Sequence, residues 1–274
     1  MTERALTAAK KAQHSDLMTA FARLGFVVTG ALFLLLGWIA ARIALGGSNA
    51  GPNADQSGAL AQLASAPGGP VLLWLTVIGF AALGLWHLLQ GLSRLRVRPD
   101  GRRGGWSDAW KPVATGVVYI VLAYTATTFA SGAGHSSKEQ TRDISAVLMA
   151  HPLGKVALVV AGVVILVVAA YHVYKGVTQN FTQDLRGPGD NGVGAAVRTL
   201  GVVGYVAKGV AFAIVGVLVI VGVLNSNPAK ASGLDEALRT LRAEPFGTAL
   251  LLAVAVGFAC YGMYMFARAR YSRF

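Results

Sequence analysis

Six continuous apolar stretches dominate the pattern of hydrophobic and polar residues along the chain. They lie at residues 21–45, 70–92, 112–131, 154–177, 199–224 and 247–268. An α-helix needs about 20 apolar residues to cross the hydrocarbon core of a bilayer. The stretches lack the alternation of polar and apolar residues that membrane β-strands show. The pattern therefore predicts six membrane-spanning helices, and the first is too long for the apolar region of a signal peptide.

The repeated order of the outer segments predicts how these helices are organised. Residues 58–69, 143–154 and 236–247 read GALAQLASAPGG, DISAVLMAHPLG and EALRTLRAEPFG, each a short stretch suited to the membrane surface that ends at a proline. Gly30, Gly116 and Gly209 agree in the helices that precede them. Since each copy contributes two helices, every copy starts on the same side. We predict an all-α integral membrane bundle of six helices in three parallel two-helix repeats with pseudo-threefold packing.

This organisation divides the chain into seven segments. The three repeats span 21–92, 112–177 and 199–268, and two cytoplasmic connections lie between them, a basic loop at 93–111 and a linker at 178–198. An N-terminal tail at 1–20 and a C-terminal tail at 269–274 complete the prediction.

Composition agrees with a membrane protein and excludes several classes of site. Of the 274 residues, 54% are hydrophobic and 13% are charged, whereas soluble domains average about 25% charged residues. The single cysteine, Cys260, permits neither an intramolecular disulfide nor a cysteine zinc motif. Because no catalytic or nucleotide-binding motif is present, we expect neither an enzyme activity nor a cofactor.

The positions of lysine and arginine predict the orientation. Most of the 24 basic residues lie in the N-terminal tail, the loop 93–111, the region around Arg186 and Arg198, and the C-terminal ARARYSRF. All of these fall on one side if the chain crosses the membrane six times, and cytoplasmic segments carry such an excess. We expect a multi-pass cell-membrane protein with both termini cytoplasmic. The net charge of +12 is then explained by insertion and by contact with anionic headgroups, and not by nucleic acid.

The repeated motifs resemble those of a known family. GYVAKG at 204–209 begins an odd-numbered helix, and residues 238–247 give an L-x-x-L-x-x-x-P-F-G outer segment before the return helix. This unit, repeated three times after residue 20, is similar to bacterial membrane proteins of domain-of-unknown-function family 1206. The resemblance implies the six-helix architecture and no particular activity. The basic residue of the first motif is present only as Lys208, since Thr29 and Thr115 occupy the equivalent positions.

Two histidines recur at equivalent positions near the cytoplasmic ends of the even-numbered helices. His87 and His172 align with Met265, and imidazole and thioether groups both ligate copper and haem iron. A metal or haem site at these positions is therefore one hypothesis. The alternative is an interfacial or packing role, because neighbouring Trp and Tyr residues are typical of the membrane interface. We favour the alternative.

Charged residues near the spans also allow two interpretations. A lysine deep in the membrane marks a substrate or proton pathway, whereas a lysine near the surface extends its ammonium to the cytoplasmic side. For Lys208 we expect the second. The acidic residues Asp55, Asp143, Asp235 and Glu236 could surround an entrance, but we expect them on the solvated faces of the short outer helices.

Two classes of function fit this architecture. The first is a small transport or channel-like protein whose path runs between the three repeats. The alternative is a lipid-organising protein or an accessory scaffold subunit of a membrane complex. The metal or haem hypothesis at His87 and His172 would add electron transfer.

Overall fold

A computed structural model of the protein describes residues 16–46, 53–94, 106–134, 136–185 and 192–272. In these ranges all regular elements are helical, with nine α-helices and two short 3₁₀-helices. The α-helices are α1 (Asp16–Ala44), α2 (Gln56–Ala64), α3 (Gly69–Arg94), α4 (Trp106–Ala130), α5 (Ser137–Met149), α6 (Pro152–Val177), α7 (Gly192–Leu224), α8 (Leu234–Ala243) and α9 (Gly247–Tyr271), and the 3₁₀-helices are Asn180–Asp184 and Pro228–Ala231. Most of the predicted N-terminal tail, residues 95–105 of the basic loop, Arg186 and Phe274 lie outside the described residues.

Each repeat consists of a long helix, a short helix and a second long helix. The long helices α1, α3, α4, α6, α7 and α9 are all long and apolar enough to cross a membrane. The short helices α2, α5 and α8 lie between them at one end of the bundle. After the orientation predicted from the sequence, this end is named the outer end and the opposite end is named the cytoplasmic end. The prediction of an all-α protein with six apolar spans in three repeats is therefore confirmed, and the chain is a multi-pass membrane protein.

Several helices extend beyond the predicted spans because the apolar pattern marks only the hydrocarbon core. Helix α7 begins at Gly192, within the predicted linker, and α9 continues to Tyr271. The first part of that linker is also ordered, since residues 180–184 form a 3₁₀-helix whose Phe181 is fully buried. This segment packs against the cytoplasmic end of the bundle.

The strongest packing joins neighbouring repeats. Helices α3 and α4, α6 and α7, and α9 and α1 contact one another along most of their lengths. Glycines at the same aligned position permit the closest approach in all three pairs, as is typical of membrane helices. A methyl group on Gly30, Gly116 or Gly209 would lie 2.9, 2.9 or 2.8 Å from the carbonyl oxygen of Gly262, Gly84 or Ala169, respectively. The use of equivalent atoms at the three interfaces makes the bundle pseudo-threefold.

Packing within the repeats is less symmetric. Helices α1 and α3 pack together, as do α7 and α9, but α4 and α6 of the middle repeat have no comparable interface. In the first repeat, a methyl group on Gly25 would lie 2.6 Å from the carbonyl oxygen of Gly79. The equivalent residues in the middle repeat are Lys111 and Val164. Their side chains prevent the same close approach.

The result is a gap in the side of the bundle, which we call the lateral window. It lies between α4 and α6, and the exposed residues of these two helices include Ala114, Val118, Val164 and Val168. Val118 is 57% exposed, whereas its equivalent Leu32 in the first repeat is 4% exposed. At the cytoplasmic end α4 and α6 approach again, because Nζ of Lys111 lies 5.4 Å from the centroid of the Tyr171 ring.

The core changes character along the bundle axis. Its outer half is filled by aliphatic side chains together with Phe80 and Phe258, all buried. Its cytoplasmic half contains an aromatic cluster in which Phe181 contacts Tyr205 and Tyr264. The core between the long helices is therefore apolar toward the short helices and carries tyrosine hydroxyls toward the opposite end.

The glycine interfaces generate a stability prediction. Gly116→Val should destabilise the detergent-solubilised protein by about 1–3 kcal/mol, because the new side chain overpacks the contact between α4 and α3. Thermal unfolding followed by the loss of the monodisperse chromatographic peak measures the effect.

Ala114→Val is the matched control, since Ala114 is exposed on the same helix. Equal melting temperatures for the two variants would contradict the close helix contact.

Candidate functional site

Lys208 places a cation inside the bundle. It lies at the midpoint of α7, with sixteen residues of the helix on either side. Its Nζ lies 4.7 Å from the ring centroid of Tyr261, 5.0 Å from that of Phe33 and 5.6 Å from that of Phe212. These rings belong to three different helices, and aromatic faces attract a cation at such distances. The expectation that Lys208 extends to the cytoplasmic surface is therefore wrong.

The position of the Lys208 ammonium inside the bundle has a direct geometric cause. Nζ of Lys208 donates a long hydrogen bond of 3.4 Å to the hydroxyl of Tyr261 on α9. The glycine contact at Gly204 brings α7 and α9 close enough for this bond, because a methyl group there would lie 2.6 Å from Cα of Tyr261. The aromatic surroundings replace part of the hydration that the ammonium loses.

Two more cations lie on the cytoplasmic side of Lys208. Nζ of Lys175 on α6 donates to Asp184 at 2.9 Å, and Nη2 of Arg268 on α9 donates to the same carboxylate oxygen at 3.4 Å. Both cations are close enough to Lys208 to repel it. We refer to Lys175, Lys208 and Arg268 as the cationic cluster.

Asp184 reaches this cluster on the 3₁₀-helix Asn180–Asp184. Phe181 holds that segment in place by stacking on Tyr205, at 5.3 Å between ring centroids, and by an edge contact with Tyr264. Burial opposes ionisation of Asp184, but Arg268 and Lys175 outweigh it and hold the pKa of this carboxyl below its usual range. Among the described residues, the ion pairs and hydrogen bonds of the cluster therefore bring together three cations and one carboxylate.

Tyrosine hydroxyls complete the polar lining of the interior. Tyr205, Tyr261 and Tyr264 contact one another with ring centroids 5.3–6.2 Å apart. The hydroxyl of Tyr264 is near that of Tyr205, but within the described ranges of the chain it has no hydrogen-bond partner within 3.5 Å, and neither does Nε of Arg268. Buried polar atoms are normally paired. Donors without partners beside a cationic cluster indicate a site that can accept an anion.

The structure places the two predicted histidines in aromatic contacts. The ring of His87 stacks on Tyr119 of α4, with 5.8 Å between the centroids. The ring of His172 contacts Phe212 of α7 edge to face, and its Nδ1 lies 2.8 Å from the carbonyl oxygen of Val168. Met265, at the equivalent position of the third repeat, is buried. Each histidine ring packs on a helix of the following repeat, and neither contact requires a metal.

No metal-binding group emerges from these positions. In the part of the chain that the structure describes, His, Cys, Asp and Glu side chains form no group of three that could hold an ion. The hypothesis of a metal or haem site thus gains no geometric support at His87 and His172.

The outer end of the bundle contains a second polar network. The carboxylate of Asp235 on α8 is fully buried and accepts hydrogen bonds from Lys138 Nζ at 2.8 Å and from Arg239 Nε at 2.9 Å. It also accepts a 2.8 Å bond from the backbone N–H of Ala54 in the first repeat. Since Lys138 belongs to the second repeat and Asp235 to the third, this one carboxylate joins all three.

Asp55 extends the network in the first repeat. Its carboxylate accepts hydrogen bonds from Ser57 Oγ at 2.6 Å and from the N–H of Gly58 at 2.9 Å, which caps α2. Asp55 is 5% exposed and Asp235 is 0% exposed, so the expectation of solvated faces is wrong for these two residues. It is wrong because a polar face of a short amphipathic helix can pack against the other repeats as well as face water.

Burial and hydrogen bonding act differently on the two carboxyl groups. Burial raises the pKa of Asp55 more than its hydrogen bonds with Ser57 and Gly58 lower it. Burial also disfavours ionised Asp235, but its bonds with Arg239, Ala54 and Lys138 prevail and its pKa is lowered. Asp235 therefore remains charged at neutral pH and stabilises the outer seal.

These features define a class of protein: a multi-pass membrane protein made of three two-helix repeats, with an outer seal and a cationic interior. The family described as "Domain of Unknown Function (DUF1206)" matches residues 24–94, 111–179 and 203–272. The chain belongs to this family. A Bacillus subtilis (strain 168) relative, "Uncharacterized protein YxxB", is 31% identical over 246 residues, covering 89% of this chain and 87% of the relative. No solved structure matches the chain.

Removal of the charge on Asp235 should destabilise the bundle. Asp235→Asn weakens its bonds with Lys138 and Arg239, so we expect a loss of about 1–3 kcal/mol in the free energy of unfolding at pH 7. Chemical denaturation in detergent measures the loss, and Asp143→Asn, at an exposed position of α5, is the control.

The same pair of proteins tests the pH dependence. Because the folded-state pKa of Asp235 is below the ordinary value of 3.8, the stabilisation by its charge is present above that pH and is lost as the pH falls through the folded-state pKa. The difference between wild type and Asp235→Asn should thus shrink below pH 4. A constant difference would contradict the role of the ionised carboxylate.

Proposed function

We propose that the protein is a membrane transport protein for an anionic solute, with the cationic cluster as its substrate site. The observation that carries the proposal is the position of Lys208 inside the bundle, at the middle of α7, with no salt bridge to a carboxylate among the described residues. Charged residues within membrane spans are energetically costly and concentrate at substrate pathways. A purely structural lysine would be expected to have an acidic partner.

The proposed path runs along the pseudo-threefold axis, through the cytoplasmic half of the bundle. Support comes from the partial exposure of Lys208, His87 and His172, although all three side chains lie among helices. The aliphatic core and the Asp235 network close the outer side, so the structure corresponds to a state that is closed outward. Alternating access would require these two outer contacts to open.

We further propose that both termini are cytoplasmic and that the protein resides in the cell membrane, with its basic segments against anionic headgroups. The distribution of lysine and arginine supports this orientation. The proposal does not include an enzyme activity, and it assigns no role to nucleic acid.

The flux of anions into proteoliposomes tests the transport function. Labelled acetate, benzoate, inorganic phosphate and dodecanoate are the probes, and the flux of at least one should exceed that in protein-free liposomes. Lys208→Met should reduce this flux at least about tenfold, the factor that a loss of about 1.4 kcal/mol of substrate binding produces. Lys230→Met, at the outer 3₁₀-helix, is the control.

Equal flux through wild-type protein and Lys208→Met would contradict the proposed site. A wild-type protein that conducts none of the probes would favour the lipid-organising or scaffold function instead.

Cysteine labelling tests the orientation. On a Cys260→Ser background, Gln183→Cys and Asp143→Cys each place one thiol on an exposed side chain at opposite ends of the bundle. A membrane-impermeant maleimide should label Asp143→Cys in intact cells, and it should label Gln183→Cys only after permeabilisation. The reverse pattern would overturn the proposed orientation.

A further inference from the structure

We infer that the cationic cluster binds the carboxylate of an amphipathic molecule, whose apolar chain lies in the lateral window between α4 and α6. This inference deepens the proposed transport function by naming the substrate class and its route of access. It concerns binding, which can be measured without transport.

The charge of the interior argues for an anionic group. Three cations, Lys175, Lys208 and Arg268, repel one another at short range. Among the described residues, Asp184 is the carboxylate that forms ion pairs with this cluster, and it binds Lys175 and Arg268 but not Lys208. A second carboxylate beside Lys208 would relieve the repulsion and could accept bonds from the hydroxyl of Tyr264 and Nε of Arg268.

The chemistry of the bound group follows from Asp184. Its carboxylate already accepts hydrogen bonds from a lysine and an arginine of this cluster, at 2.9 and 3.4 Å. The interior therefore already binds one carboxylate, that of Asp184, through a lysine and an arginine. The ligand carboxylate would be bound in the same way by the ammonium of Lys208, which Asp184 does not contact in an ion pair.

The lateral window supplies the place for an apolar chain. Its lining residues Val118, Val164 and Val168 are aliphatic and exposed. Their equivalents in the first repeat include Gly79, which contacts Gly25 directly. The gap is therefore a property of the middle repeat and follows from two substitutions in its sequence, Lys111 and Val164.

The window and the cluster are adjacent. Val168 and His172 lie one turn apart on the same face of α6, and His172 contacts Phe212 while it is close enough to Lys208 to interact electrostatically. Lys111 at the cytoplasmic edge of the window adds another positive charge beside it. An amphiphile entering from the bilayer would thus meet a positive charge first and Lys208 next.

Equilibrium binding to the protein in nanodiscs tests the inference, with empty nanodiscs as the measure of partition into lipid. The probes are labelled dodecanoate, acetate and dodecyltrimethylammonium. We expect saturable binding of dodecanoate at least about tenfold tighter than that of acetate, and none of the cationic amphiphile. Lys208→Met should weaken dodecanoate binding at least about tenfold, whereas Lys230→Met should not change it.

Four outcomes would overturn the inference. They are the absence of saturable dodecanoate binding, equal affinities for dodecanoate and acetate, unchanged affinity in Lys208→Met, and displacement of dodecanoate by phosphatidylglycerol in the nanodisc. The last would assign the window to a bilayer phospholipid.

Dodecanoate binding without flux in proteoliposomes would contradict only the transport function, and flux of acetate without tight dodecanoate binding would contradict only this inference.

Restoring the glycine pair tests the window separately from the charge. Lys111→Gly with Val164→Gly should let α4 and α6 pack as α1 and α3 do, and it should reduce dodecanoate affinity while acetate affinity changes less. Lys111→Ala alone is the control for the lost charge. In a Cys260→Ser background, Ala114→Cys with Val164→Cys should not form a disulfide under mild oxidation, and rapid disulfide formation would show that the window is closed.

Discussion

The close approach of helix backbones at aligned glycines is the contact on which the bundle depends. Lipid tails are as apolar as the helix surfaces, so burial of apolar area contributes little to the association of helices within a bilayer, and tight packing must supply it. Gly30, Gly116 and Gly209 supply it at the three interfaces between repeats. Where the corresponding glycines are absent within a repeat, at Lys111 and Val164, the helices separate. One principle thus accounts both for the pseudo-threefold bundle and for its one open side.

The two ends of the bundle manage buried charge in different ways. At the outer end Asp235 is surrounded by donors from its own and other repeats, so the charges compensate one another and join the three short helices. At the cytoplasmic end the cations of the cluster outnumber the carboxylates that pair with them among the described residues, and aromatic rings stabilise the ammonium of Lys208. Compensated charge is suited to a seal. An excess of one sign in a confined space is suited to a ligand of the opposite sign.

The six spans and the three repeats could be predicted from the sequence because both are properties of local pattern. Apolar runs of sufficient length and glycines at a constant spacing need no knowledge of distant contacts. The direction of Lys208 could not be predicted, since Phe33 and Tyr261, which surround its ammonium, come from helices far away along the chain. Asp235 was predicted to face solvent because α8 is amphipathic, and its partner Lys138 lies 97 residues away. Asp184 was missed because the segment around it has no helical periodicity. The equivalence of Lys175 and Arg268, each three residues after His172 and Met265, is a signal that could have pointed to a counter-charge.

The differences among the repeats carry more functional information than their similarities. Positions that agree, such as the interface glycines, build the bundle and occur in all three copies. Two sets of equivalent positions that differ include the cations of the cluster: Thr29, Thr115 and Lys208 form one set, and Gln90, Lys175 and Arg268 form the other. A structural role would be expected to retain the same residue at each equivalent position, as the glycines do. The third repeat instead contributes two of the three cations, and the second repeat contributes the open flank. The duplicated unit therefore supplies the scaffold. The divergence between the copies creates an asymmetric interior that can bind an asymmetric ligand.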